Sequence, residues 1–202
     1  MAEAQKYTKE VWKGSVITSP LPPVLVTCGT AEKPNVLTIA WTGVLCTKPP
    51  VTYISVRPER YSYDLIKQSG EFVINLAPDR LVREVDLCGV KSGRDTDKFA
   101  LTGLTAVPAS AVDAPLLEQC PVNIECRVRQ VIPLGSHDMF MADILAIDAA
   151  KELLDEKGRL ALEKAGLLAY AHGQYFSLGK QLGTFGFSVR KKKKRTAPRR
   201  KK

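Results

Sequence analysis

Histidine is nearly absent from this chain, with only His137 and His172, and the five cysteines (Cys28, Cys46, Cys88, Cys120 and Cys126) are scattered with no CxxC pair. Such spacing excludes zinc-finger and iron–sulfur ligation. An odd set of unpaired thiols points to a reducing cytoplasm and to buried, inert side chains. No apolar run approaches the roughly 18 residues of a membrane helix, and MAEAQKYTKEVW carries no apolar region of the signal-peptide kind. The sequence also lacks GxGxxG after a strand, a Walker loop, HExxH and the GxSxG elbow. With no local acid–base or nucleophile constellation, any redox or group-transfer activity must draw its reactivity from a bound organic cofactor.

Acidic residues are missing from one end. The formal charge is +9, yet ten basic residues and no acids lie between Arg190 and Lys202. Setting those ten aside leaves twenty basic against twenty-one acidic residues, so the body is close to neutral. The expected division is a folded unit over 1–187 and a disordered basic tail over 188–202. Lysine-rich ends bind phosphate backbones in a sequence-blind way. RKKKKRTAPRRKK has no interleaved aromatics for base stacking, so nucleic acid is not the expected partner. Electrostatic docking onto a protein redox partner is the other use such a tail can serve.

Hydrophobic alternation predicts many short strands. Residues 15–19, 24–30, 36–46, 51–57 and 71–77 are β-prone, and no internal repeat is visible. PVNIECRVRQVIP alternates, with Val122, Ile124, Cys126 and Val128 on one face and Asn123, Glu125, Arg127 and Arg129 on the other. DMFMADILAIDAA repeats the pattern, and Gly135-Ser136 between them predicts a hairpin. SYDLIKQSG reads as a helix with Ser62 as its N-cap and Gly70 past its end; PDRLVREVDLCG reads as another, stopping at Gly89. VKSGRDTDKF reads as a loop with one helical turn. The pattern is mainly β with helical excursions, a closed or nearly closed barrel rather than a doubly wound sheet.

Three polar stretches stand out. SVRPERYS places Arg57 and Arg60, fork-shaped donors for phosphate oxygens, at a strand end beside Ser62. CGVKSGRDTDKF gathers Lys91, Ser92, Arg94 and Lys98 around Gly89 and Gly93. PNVLTIAWTG sets Asn35, Thr38 and Trp41 in and beside an apolar strand, where buried polar groups need partners. Each alone has an ordinary structural account, and His137 alone reads as an exposed hairpin histidine.

Their order along the chain, NxxTxxW, SVRPxRYS, FVINL, CGxxSGRxxDKF and a late histidine, resembles the flavin reductase-like family over about Val16 to Phe187. The likeness is greatest to its flavoredoxin-type branch. It implies an FMN-binding split β-barrel over 1–187, a homodimer with FMN near the interface, and NAD(P)H-dependent reduction of flavin or another small acceptor. A flavoredoxin-like electron carrier reduced by a protein donor is the alternative. Pyridoxamine-phosphate-oxidase-like and haem-handling relatives share the architecture, since one fold hosts several tasks. Carried onto this sequence, the resemblance implies that Asn35, Thr38 and Trp41 line the flavin ring and ribityl chain. It implies that Ser55, Arg57, Arg60 and Ser62 cup the 5′-phosphate, that Lys98 is a further cationic contact, and that His137 and Tyr170 lie against the flavin. His172, Tyr175 and Phe176 are alternatives to Tyr170; Asn75 and the Ser92-Gly93 turn are secondary members of the shell.

Overall fold

The computed structural model describes residues 6–190, so most of the expected basic tail (191–202) lies outside the described residues. Among the described residues eleven strands form: β1 (Val24–Gly29), β2 (Pro34–Ile39), β3 (Thr42–Thr47), β4 (Pro50–Val56), β5 (Glu71–Leu76), β6 (Ala106–Val107), β7 (Leu116–Leu117), β8 (Val122–Pro133), β9 (Asp138–Ala149), β10 (Leu168–Ala171) and β11 (Gln174–Ser177). Three α-helices join them: α1 (Tyr61–Ser69), α2 (Val82–Val90) and α3 (Lys98–Thr102).

One antiparallel sheet of seven strands dominates, in the order β2-β1-β5-β8-β9-β4-β3. Strands β2 and β3 stand at opposite ends of that order, yet only Ala40 and Trp41 separate them in sequence. Two residues span about 7 Å at full extension. The sheet must therefore roll until its two ends meet. Among the described residues no ladder pairs β2 with β3, so the closure leaves a seam. This is a split barrel. The single apolar run expected over 36–46 is in fact two strands, because the chain crosses the seam at Ala40-Trp41.

Strand alternation builds two layers. In β1, Val24, Val26 and Cys28 face the barrel interior with Leu37, Ile54, Phe72 and Phe140, while Leu25 faces outward into a second cluster with Val36, Val85 and Cys88. Helix α1 plugs the interior through Tyr63 and Ile66, and α2 covers the outer face. Burying the Phe72 and Phe140 side chains completely stabilises the barrel by about 2–3 kcal/mol each.

Several boundaries differ from expectation. Residues 15–19 form no strand; the nearby chain is held instead by the bridge between Leu21 and Tyr170. The N-cap of α1 is Arg60, not Ser62, and Gly70 ends the helix in the left-handed region at φ 71°. Helix α2 runs through Gly89 to Val90. In β8 the polar face is not all solvated: Asn123 and Glu125 are buried, because the segment between Ser110 and Leu117 folds over them. Two bulges, at Glu125/Cys126 and Val128/Gln130, further break the alternation. Cys46 is exposed on β3, unlike the other four thiols. Burial pushes Cys28 and Cys88 up to about 11, and Cys120 and Cys126 up to about 12, leaving those four unreactive at neutral pH. No helix among the described residues is long and apolar enough to cross a membrane.

Candidate functional site

A cavity of about 590 Å³ opens at the barrel seam. Its walls come from five places in the sequence: the end of β2 with the crossing residue Trp41, the end of β4 with Arg57 and Arg60, the last turns of α2, the β8–β9 turn at His137, and Tyr170 with Tyr175 from the β10–β11 hairpin. The seam supplies an apolar slot from Leu37, Ile39 and Val56, and polar groups converge on its rim. A mostly apolar slot with a few placed polar groups is the usual form of a small-molecule site.

A smaller cavity of about 190 Å³ shares Thr38, Arg57, Arg60 and Gly89 with the first and continues it toward Ser62, Ser92, Gly93 and Lys98. This is the anion corner. Arg60 caps α1 in extended backbone, which turns the chain so that Ser62 lies in the first helical turn and is buried. The buried Asn35 amide donates to the Ser62 hydroxyl oxygen at 2.6 Å, which leaves the Ser62 proton free to donate elsewhere. The Lys98 ammonium is 4% exposed and donates to the carbonyls of Val36 at 2.7 Å and Cys88 at 2.9 Å. Two of its three protons are thereby used and one remains. Burial pulls the Lys98 pKa down, and Arg60 adds to that. The charge of an anion in the corner would oppose both effects. Glu59 also lines the corner and pairs with Arg57 at 3.4 Å, but both are exposed, so the pair is weak.

The loop after α2 is clasped to this corner. Arg94 donates to the Glu59 carbonyl at 2.8 Å and lies over the Tyr61 ring. Gly93 packs so closely that an added Cβ would sit 2.2 Å from Asn35 Oδ1. Only glycine fits there without moving the residue that orients Ser62. Thr38 donates its hydroxyl to the Val85 carbonyl, tying β2 to α2 beneath both cavities.

On the opposite wall Trp41 and His137 meet edge to face, with centroids 4.5 Å apart. Tyr63 donates to Asp138 at 2.6 Å, so the plug helix fixes the hairpin that carries His137. Burial lowers the His137 pKa, and the nearby Arg57 charge lowers it further, with Glu59 partly opposing. His137 is therefore neutral at pH 7. The folded protein binds its proton less readily than the unfolded chain, so stability is full above the ordinary value of 6.5 and declines as pH falls below it. Proton NMR should give a His137 midpoint below 6.5, and Arg57→Gln should move it upward; a midpoint unmoved by Arg57→Gln would dissociate the two residues.

Thr38, Trp41, Ser55, Arg57, Arg60, His137 and Tyr170 all line the larger cavity, and Ser62 and Lys98 line the smaller one. Asn35 lies behind this surface and acts through Ser62. Asn75 lies elsewhere: it is fully buried and bonds Leu25, Thr27, Leu117 and Asn123, which makes it part of the barrel frame and not of the shell. Sequence reading missed Asp86 as a lining residue and offered Tyr175 only as an alternative to Tyr170, whereas both tyrosines line the cavity; the Tyr175 hydroxyl donates to Asp86 at 3.2 Å. Their separation in sequence hides the pairing, and neither belongs to a recognisable motif.

A seam cavity with a cationic corner on a split barrel defines a class, and comparison with known families agrees. The chain belongs to the flavin reductase like domain family, whose profile matches residues 17–179. Within it the chain falls in the flavoredoxin branch: the flavoredoxin of Desulfovibrio vulgaris (Miyazaki F) superposes with a TM-score of 0.83 at 29% identity, over 91% of this chain and all of that one. An FMN-binding protein of Thermus thermophilus, solved with bound 1-cyclohex-2-enone, superposes with a TM-score of 0.73 at 25% identity, over 90% of this chain and 99% of that one. An NADPH-flavin oxidoreductase of Streptomyces viridifaciens is 29% identical over 67% of this chain and 65% of its own.

Proposed function

We propose that this protein is an FMN flavoprotein that uses NAD(P)H to reduce flavin or another small acceptor. The observation that carries the reading is the continuity of the seam cavity with the cationic corner of Arg57, Arg60, Ser62 and Lys98. The residues fit the group. Ser62 has a proton to donate, Lys98 has one unused N–H, and two exposed guanidinium groups stand beside them. Such donors match a phosphate monoester. The apolar slot and the Trp41 ring match a flat aromatic ring, and Thr38, Ser55 and Tyr170 supply polar contacts along it. When bound, FMN supplies hydride acceptance and single-electron transfer.

In this reading the chain's own task is binding and orientation. Arg57, Arg60 and Lys98 neutralise the phosphate. Asn35 fixes the position of the Ser62 hydroxyl oxygen. His137 and Trp41 close one wall without adding charge beside the ring.

The likeness to a flavoredoxin supports a second reading, an electron carrier served by a protein donor. Anaerobic titration of the FMN-loaded protein with NADH and NADPH, followed by visible absorbance, separates the two. Rapid bleaching identifies a nicotinamide-dependent reductase. Flavin that stays oxidised but bleaches with dithionite identifies a carrier. A protein that retains no FMN refutes both.

Exposed apolar residues favour a homodimer. Val44 on β3 and Ile147 on β9 are 73% and 58% exposed, and the segments around Trp12 and Phe185 present further apolar side chains to solvent. Covering such a surface with a second copy satisfies it, and the adjacent seam places the cofactor near that interface. Ile147→Glu with Val44→Glu should shift the protein to monomer in sedimentation equilibrium; an unchanged mass would place the interface elsewhere.

A further inference from the structure

The loop between α2 and α3, residues 91–97, walls the anion corner on one side through Lys91, Ser92 and Gly93. The facing wall is the turn from β4 into α1, which carries Arg57, Glu59 and Arg60. Deeper in the corner, Ser62 and Lys98 are only 2% and 4% exposed, so a phosphate seated on them lies behind the loop. Among the described residues, one hydrogen bond fastens this loop to anything other than α2 and α3. In it the Arg94 guanidinium donates to the Glu59 carbonyl at 2.8 Å. Resting on the reading of the corner as the seat of the FMN phosphate, we propose that Arg94 is a latch. It closes the loop over the phosphate and keeps FMN resident between turnovers.

Three observations carry the proposal. First, the latch joins the two walls to each other. The Glu59 carbonyl belongs to the turn that holds both arginines, and that turn is itself closed by the Arg60 amide donating to the Arg57 carbonyl at 3.0 Å. The Arg94 guanidinium also lies over the Tyr61 ring, 5.7 Å from its centroid. Second, Arg94 is exposed and lines neither the seam cavity nor the corner. It is a positioning residue that acts through the loop, unlike Arg57 and Arg60, which face the anion. Third, the closed loop is seated without slack but held by little else. An added Cβ at Gly93 would lie 2.2 Å from Asn35 Oδ1 and 2.8 Å from the Tyr61 ring, so the loop presses on the amide that positions Ser62. Its other bonds are internal, such as the Arg94 amide to the Ser92 hydroxyl at 3.2 Å.

The two ends of the loop are fixed, by Cys88 in the outer cluster and by Lys98 on its two carbonyls. A polar segment between fixed ends, with one tertiary hydrogen bond, opens at low cost. Opening is needed both to admit the phosphate and to release it, so the latch slows both steps by the same factor and leaves affinity unchanged. Slow exchange makes FMN a resident group, and the small acceptor is then a second molecule that meets it in the seam.

The test is the rate at which loaded protein releases FMN to an excess of flavin-free flavodoxin, set beside Kd from fluorescence titration. Loss of one charge-assisted hydrogen bond and one cation–π contact in Arg94→Ala should speed release at least tenfold, with Kd within threefold of the wild type. Arg94→Lys keeps a donor for the Glu59 carbonyl and should recover part of the slow release. Riboflavin has no phosphate to lie behind the loop and should leave both proteins at the same rate. Release that quickens only in step with a weaker Kd would make Arg94 a direct FMN contact and overturn the latch. Unchanged FMN release from Arg94→Ala would overturn it as well, and leave the FMN reading standing. Riboflavin release quickened as much as FMN release would mean a site loosened throughout, with no latch on the phosphate. A wild type that retains no FMN would overturn the FMN reading and the latch together.

Discussion

Replacing Arg57 and Arg60 together with alanine should weaken FMN binding roughly a hundredfold or more, with little change in the melting temperature of the flavin-free protein. Both side chains are exposed, and the contact of Arg57 with Glu59 is a surface pair of small worth. Their removal costs the fold little. Each charge-assisted hydrogen bond to a phosphate contributes about 1.5–3 kcal/mol. Two of them correspond to at least two powers of ten in affinity, at about 1.4 kcal/mol per decade. Fluorescence titration with FMN and with riboflavin reads the effect directly, because only FMN carries the phosphate. The wild type should prefer FMN strongly, and the double variant should lose most of that preference. A preference that survives would locate the phosphate elsewhere. Lys98 is a poorer probe, since its buried ammonium ties the Val36 and Cys88 carbonyls together and its loss would disturb the frame as well.

The anion corner was legible because its residues are close in sequence and chemically conspicuous. SVRPERYS places two arginines and a serine within six positions, and the helix that follows fixes their relation. The cofactor ring wall was less legible. Trp41, His137 and Tyr170 come from distant segments; the pairing of β3 with β4 and of β4 with β9 brings the first two together, and the separate β10–β11 hairpin adds the third. Resemblance to a family supplied what periodicity cannot, since alternation marks a buried face without saying which strand lies opposite. Ser62 shows the limit in small. Its residue type favours an N-cap, but Arg60 adopts that position, and Ser62 instead turns inward to the Asn35 amide. Tertiary hydrogen bonding outweighed a local preference of about 1 kcal/mol.

The same limit applies to β8, where an alternating sequence was read as half solvated. Asn75 and Asn123 look like surface or site residues in the sequence, yet the segment after α3 returns to cover them. The Asn75 carbonyl accepts from the Leu117 amide at 3.0 Å and from Asn123 at 2.7 Å, while its own amide bonds the Leu25 carbonyl at 2.9 Å. A covering loop that belongs to neither strand leaves no periodic trace in either one. Buried polar clusters of this kind fix strand register and loop position together, because each member left unpaired would cost its desolvation.

Glu125 is the most consequential member of that covered face, and Glu125→Ala should cost about 3 kcal/mol, lowering the melting temperature by roughly 6–12 °C. Its carboxylate is fully buried and accepts from the Ser110 hydroxyl and amide, the Ala111 amide and the Val112 amide, at 2.6–3.1 Å. Four donors would lose their acceptor at once; partial exposure of the loop to water keeps the cost below the sum of four buried losses. Burial opposes the Glu125 charge, but the Ser110 and Ala111 bonds outweigh it and hold the carboxyl below its ordinary range. Its contribution is thus present above pH 4.5 and lost as pH falls through the folded value. Asp148 shifts the other way: burial and repulsion from the nearby Glu125 charge raise it, and its Oδ2 is buried with no hydrogen-bond partner. As pH rises past 3.8, Asp148 must be ionised against those pressures, which subtracts from stability toward neutrality. Asp148→Asn should therefore stabilise the protein at pH 7 and have no such effect at pH 3, in chemical denaturation followed by far-ultraviolet dichroism. Loss of stability at pH 7 in Asp148→Asn would mean that the ionised pair holds the loop; a gain confined to neutral pH would mean that Glu125 alone carries it and Asp148 is tolerated.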